Sequence, residues 1–145
     1  MKETASNLKP ILQNVWHLPA VLNFTLGGVG SGMYLVGIYL SYFYGLDTTI
    51  SLFYKMSAPI LVMLGLLMVS LEAGRPSRAF YLLKNWRRSW MSRETLAAII
   101  FIISCFVEII FPLSMLSLLS ALAGFFFLLS QAMIIYKSRG LPAWN

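Results

Sequence analysis

The 145-residue chain has one cysteine, Cys105, and one histidine, His17. A lone cysteine builds no disulfide, zinc site or iron–sulfur cluster within the chain. A lone histidine excludes a haem held by two histidines of one subunit, and a hydrolase built on either residue is a poor fit. Charge is scarce as well. Only 11% of the residues are charged, against roughly 25% in an average soluble domain. With 59% hydrophobic residues, a soluble fold of this length would leave much apolar surface in water. A membrane domain would not.

The little charge present is mostly basic, with a net of +6. It sits in one loop and two tails, at the edges of apolar runs. That placement suits anionic headgroups or an acidic partner surface and speaks against nucleic acid. The loop is 74–94, GRPSRAFYLLKNWRRSWMSRE, and it holds six of the eleven Lys/Arg residues.

Four apolar stretches flank this loop in pairs, at about 19–44, 52–71, 95–111 and 115–136. A span needs about 20 apolar residues at 1.5 Å rise each. The expected fold is therefore an all-α membrane domain, one four-helix bundle in up-down-up-down order over 1–145. Ile11, Leu12, Val15 and Trp16 recur at helical spacing ahead of the first span, as in a short interfacial helix. The first apolar run is too long for a cleaved signal, so the lead with Lys2 and Lys9 suits an anchor that stays in place. Gly28 and Gly32 form a GxxxG pair in span one, and Ser120 and Gly124 give span four a small face; both predict close helix approach. Pro59 is expected in the opening turns of span two, and Ser92 or Thr95 as the cap of span three. Tyr39, Tyr42, Phe43 and Tyr44 predict an aromatic belt. Four spans place ten Lys/Arg on one side and only Lys55 on the other. The positive-inside rule makes the basic side, with both termini, cytoplasmic.

The polar residues at that side are the informative ones. Asn14 and His17 share a helical face, and both can hydrogen-bond a carbonyl oxygen; a histidine reaching to interfacial water is the plainer reading. Glu72, followed by Arg75 and Arg78, is either an interfacial ion pair or a proton acceptor near a redox ligand. Tyr136 is a belt residue or a phenol donor to a quinone. Glu108 lies within a span, where an acid is costly; lying about one turn from the end, it is expected to reach the far interface, with a proton path as the alternative. Lys84, Arg87, Arg88, Trp90 and Arg93 form the expected docking face of the loop.

Three segments give the chain a resemblance. They are Trp16-His17-Leu18-Pro19-Ala20-Val21-Leu22-Asn23-Phe24-Thr25, then Gly74-Arg75-Pro76-Ser77-Arg78-Ala79-Phe80 with Ser89-Trp90-Met91-Ser92-Arg93-Glu94, then Pro142-Ala143-Trp144-Asn145. In this order the chain resembles the NrfD/DmsC-type membrane anchor subunits of molybdopterin oxidoreductases. The resemblance implies a quinone-reactive anchor with no catalytic metal, haem or cluster of its own. It implies two partners, a ferredoxin-like iron–sulfur subunit and a molybdopterin catalytic subunit. The family's quinone-pocket asparagine and histidine fall on Asn14 and His17, and a pocket tyrosine on Tyr136. Glu72 stands where many members have a histidine. The chain also covers only the first of the family's usual two bundles, so a second copy or another subunit is expected to complete it. A purely structural anchor, or a small oligomeric transporter, is the competing expectation.

Overall fold

The computed structural model describes residues 18–45, 48–72, 87 and 89–137; of Thr48, Thr49 and Glu72 it describes the backbone alone. Its four described helices are α1 Leu18–Tyr44, α2 Thr48–Glu72, α3 Trp90–Ile110 and α4 Ser114–Lys137. α1 is 27 residues long, about 40 Å at 1.5 Å rise per residue. α1, the Ile50–Leu71 part of α2, and α4 are each long and apolar enough to cross a membrane.

The helix ends follow local chemistry. α1 stops at Gly45, whose φ of 64° is the left-handed conformation that glycine adopts without strain. The Gly45 N–H donates to the Ser41 carbonyl at 3.2 Å. Phe111 N–H donates to the Val107 carbonyl at 2.8 Å, closing α3. The Leu113 carbonyl then accepts from Leu116 and Ser117 and starts α4.

Two local expectations are corrected. α3 begins at Trp90 with Ser89 in the cap position, so Ser92 and Thr95 are interior residues. The helix starts that early because the Arg93 N–H already donates to the Ser89 carbonyl at 3.2 Å, which closes the first turn ahead of Thr95. Pro59 lies well inside α2, which starts at Thr48. Proline is tolerated there because tertiary packing holds the turn, with Ala58 and Pro59 both buried.

α1 lies beside α2 and α4, and α3 beside the same two. Small core residues let them close up. Tyr34, Tyr54, Ala58, Val62, Ala97, Ala98, Phe101, Cys105, Ala123 and Phe127 make the buried core. The Tyr34 ring sits edge-on to Tyr54 and to Phe101, with centroids 5.8 and 5.3 Å apart. Ser120 and Gly124 are buried as expected, Gly124 against the Phe101 ring and Ser120 donating to Ser104 at 2.9 Å. The GxxxG reading is corrected. A Cβ at Gly32 would meet nothing within 4 Å, and one at Gly28 would only reach Gln131 at 4.0 Å. Close approaches on α1 are instead at Gly27, against Gln131 and Phe127, at Gly30, against the Ala58 carbonyl, and at Gly37, against the Tyr54 ring. Spacing tells which residues share a face; it does not tell which face turns inward.

The outside is as apolar as the core. Val29, Val36, Phe53, Ile103, Leu122 and Phe125 are all exposed, as are Tyr39, Tyr42, Phe43 and Tyr44. Patches of that extent face lipid in a membrane and would be a liability in water.

Candidate functional site

Polar side chains buried in apolar helices need partners, because nothing in the surroundings replaces water. Most hydroxyls here solve this locally. Ser31, Ser57, Ser70 and Ser130 each donate to the carbonyl four residues back. Two carboxyl groups, both on α3, are solved by tertiary contacts instead.

Glu94 is the first. Its Oε1 accepts from Asn23 Nδ2 at 2.9 Å and from Gln131 Nε2 at 3.1 Å. Gln131 Nε2 also lies 3.4 Å from the Asn23 backbone carbonyl. The cluster joins the first turns of α1 and α3 to the last turns of α4. Two glycines make its room. A Cβ at Gly27 would stand 2.8 Å from Gln131 Nε2, and one at Gly65 would stand 3.1 Å from Asn23 Oδ1. Asn23 Oδ1 is buried without a hydrogen-bond partner among the described residues, as is Ser92 Oγ. Glu94 forms no ion pair among the described residues.

Glu108 is the second, and it corrects an expectation. It does not reach the far interface; it is 1% exposed. Lys55 Nζ lies 2.8 Å from its Oε1. Ser117 Oγ donates to the same oxygen and Tyr34 Oη to Oε2, each at 2.5 Å. The cause is packing: α2 and the first turns of α4 close over the end of α3 and bring a cation and a hydroxyl with them. Lys55 keeps 21% of its side chain exposed. It lines a cavity of about 620 Å³ with Ser41, Ser51, Tyr54 and Ser117.

The expected site residues are distributed as follows. Asn14, His17, Arg75, Arg78, Lys84 and Arg88 lie outside the described residues. His17 immediately precedes α1, and Glu72 is the last residue of α2, with its side chain also outside the described set. Tyr136 is on the last turn of α4 and is 72% exposed, on the outer surface and not in the Glu94 cluster. Arg87, Trp90 and Arg93 do come together. The Arg93 guanidinium lies 4.4 Å from the Trp90 ring centroid, and its Nη2 donates to the Arg87 carbonyl at 2.9 Å. No group of three or more potential metal ligands occurs among the described residues.

Sequence reasoning missed the Asn23–Glu94–Gln131 cluster. The signal that finds it is a lone amide in an otherwise apolar span, present in both α1 and α4.

The chain matches the family described as polysulphide reductase, NrfD, over residues 7–142. No curated protein and no solved structure gives a match. A match over nearly the whole length places the chain in the NrfD family.

Proposed function

We propose that this NrfD-family chain is the membrane anchor and quinone-reactive subunit of a multisubunit molybdopterin/iron–sulfur oxidoreductase. All four helices span the membrane in alternating up-down order, as one domain over 1–145. Both termini and the basic loop face the cytoplasm of the inner membrane. The family match carries this reading, and the buried Glu94 cluster supports it. α1 enters directly after His17, α2 leaves at Glu72, and Glu94 is held between the start of α1 and the end of α4.

The substrate on the membrane side is a quinone, menaquinone or ubiquinone. It supplies the carrier chemistry, two electrons with two protons. Its carbonyl oxygens accept hydrogen bonds, so the site must offer donors. Asn14 and His17 supply them for one carbonyl, and Tyr136 or a loop group for the other. Glu72, beside Arg75 and Arg78, exchanges protons with water. Glu94 joins this set. It is buried among neutral amide donors and has no fixed cation among the described residues, so a proton can arrive or leave without breaking an ion pair. Asn23 Oδ1 and Ser92 Oγ, buried without a partner among the described residues, fit a site with polar capacity to spare.

Lys84, Arg87, Arg88, Trp90 and Arg93 dock an acidic ferredoxin-like subunit, which passes electrons onward to a molybdopterin subunit. A second copy, or another four-helix subunit, completes the bundle pair. His17→Ala abolishes quinone-coupled turnover in the intact complex and leaves artificial-dye activity in place. Unchanged quinone kinetics would remove the assignment and leave a purely structural anchor. A periplasm-only signal from a reporter fused at Asn145 would reverse the orientation.

A further inference from the structure

The outer seam between α3 and α4 has a charge pattern that the quinone reading does not use. At its basic end is a hollow of about 330 Å³ lined by Arg87, Arg93, Leu96, Ala97, Ile100 and Phe126. A second hollow of about 350 Å³ shares Ala97, Ile100 and Phe126 and continues along Leu119 and Leu122. Together they form one groove with guanidinium groups at the top and hydrocarbon walls below. The small Ala97 side chain at its floor keeps it open. Trp90 stands beside the mouth with two cations at its ring, Arg93 at 4.4 Å and Lys137 Nζ at 5.6 Å. Arg87, Arg93 and Lys137 thus meet where α3 begins and α4 ends.

We propose that this groove binds one anionic phospholipid, with its phosphate at Arg87 and Arg93 and an acyl chain along Leu96, Ile100, Leu119, Leu122 and Phe126. The charge selects the occupant. Guanidinium recognises phosphate in a planar fork, and basic pockets at the ends of membrane helices suit anionic headgroups. A quinone head is neutral and gains far less from two guanidinium groups. A soluble partner cannot line the apolar walls, because Leu122 and Phe125 beside them are exposed on a helix apolar enough to span. The dimensions agree as well. Arg93 and Ile100 are about 10 Å apart along α3, and Phe126 and Leu119 about 10 Å apart along α4, at 1.5 Å per residue. That is about two thirds of one leaflet, half of a core about 30 Å thick, so the walls hold the upper part of an acyl chain. The inference rests on the chain spanning a membrane and not on quinone chemistry. It gives Arg87, Trp90 and Arg93 a role facing lipid in addition to docking.

The test is native mass spectrometry of the intact protein, purified with any subunits it retains and offered equal phosphatidylglycerol and phosphatidylcholine. One phosphatidylglycerol should stay bound. Arg87→Gln with Arg93→Gln should lower its retention about thirtyfold, at roughly fivefold for each cation. Ile100→Trp, which fills the groove from its exposed wall, should displace the lipid with the charges intact. Equal retention of the two lipids, or an unchanged result in the double variant, would overturn the proposal. So would a quinone in the lipid's place, or loss of a protein subunit with the lipid still bound. Quinone-coupled turnover reports separately, because His17→Ala should abolish it without changing lipid retention.

Discussion

Glu94 and Glu108 stand on one helix, about 21 Å apart at 1.5 Å per residue, and both are buried. Their surroundings differ in kind. Glu108 has Lys55 at 2.8 Å and two hydroxyl donors, from Tyr34 and Ser117. Glu94 has two amide donors and, among the described residues, no cation. A carboxylate matched by a cation is costly to disturb, because removing either partner strands the other charge. A carboxyl group held by neutral donors keeps its neighbours whichever way its proton goes. So Glu108 reads as a fixed structural tie between α2, α3 and α4, and Glu94 as the acid free to change state. The second lies at the end of the bundle where His17 and Glu72 border the helices.

The largest expected effect comes from breaking the tie. Lys55→Met leaves Glu108 buried without its cation. It should destabilise the protein in detergent unfolding by about 3 kcal/mol, the low end of the range for a broken buried pair because Lys55 is partly exposed. Adding Glu108→Gln should recover most of the loss, since the amide still accepts from Tyr34 and carries no charge. A double variant no more stable than Lys55→Met would mean that the pair is not the source of the cost.

The next effect tests the other acid. Glu94→Leu strands the Nδ2 of Asn23 and leaves the Nε2 of Gln131 only its 3.4 Å contact with the Asn23 carbonyl, and should cost about 2 kcal/mol. Glu94→Gln keeps an acceptor and should cost about 0.5 kcal/mol, yet should slow quinone-coupled turnover at least tenfold. Glu108→Gln should show the reverse split, with stability lowered and quinone kinetics unchanged. Equal kinetic losses from the two glutamine variants would erase the distinction between the acids.

How much of this the sequence discloses depends on the range of the interaction. The long apolar stretches are local and set by length, so three spanning helices appear where the runs predict them, with ends moved by a few residues. Family membership is carried by segments that are contiguous in the chain, and it too was readable. The Glu94 cluster was not, because its hydrogen bonds join residues 71 and 37 positions apart, and no local pattern pairs them. Glu108 failed for a related reason. Its distance from the end of α3 was right, but its neighbours come from Lys55 on α2 and Ser117 on α4. Tyr136 shows that a helix end sets the turn, whereas packing sets the direction. It is on the expected turn and points outward, 72% exposed.

The smallest effect bears on why the Glu94 cluster forms at all. Gly27 and Gly28 are adjacent, and the GxxxG spacing marks the wrong one. A Cβ on Gly27 would stand 2.8 Å from Gln131 Nε2 and from the Phe127 ring, whereas one on Gly28 would have no atom nearer than 4.0 Å. Gly27→Ala must therefore push Gln131 away from Glu94, or move Phe127 in the core. Gln131 is flexible and can give way, so the cost should be about 1 kcal/mol, at the low end for overpacking. Gly28→Ala should be neutral or slightly stabilising, since alanine is the better helix former. The informative readout is quinone-coupled turnover, which should fall in Gly27→Ala and stay level in Gly28→Ala, with the Lys55–Glu108 end untouched in both. If Gly27→Ala lowers stability but leaves turnover intact, Gln131 is not needed to hold Glu94 in its working position, and the contrast between the two acids is one of packing alone.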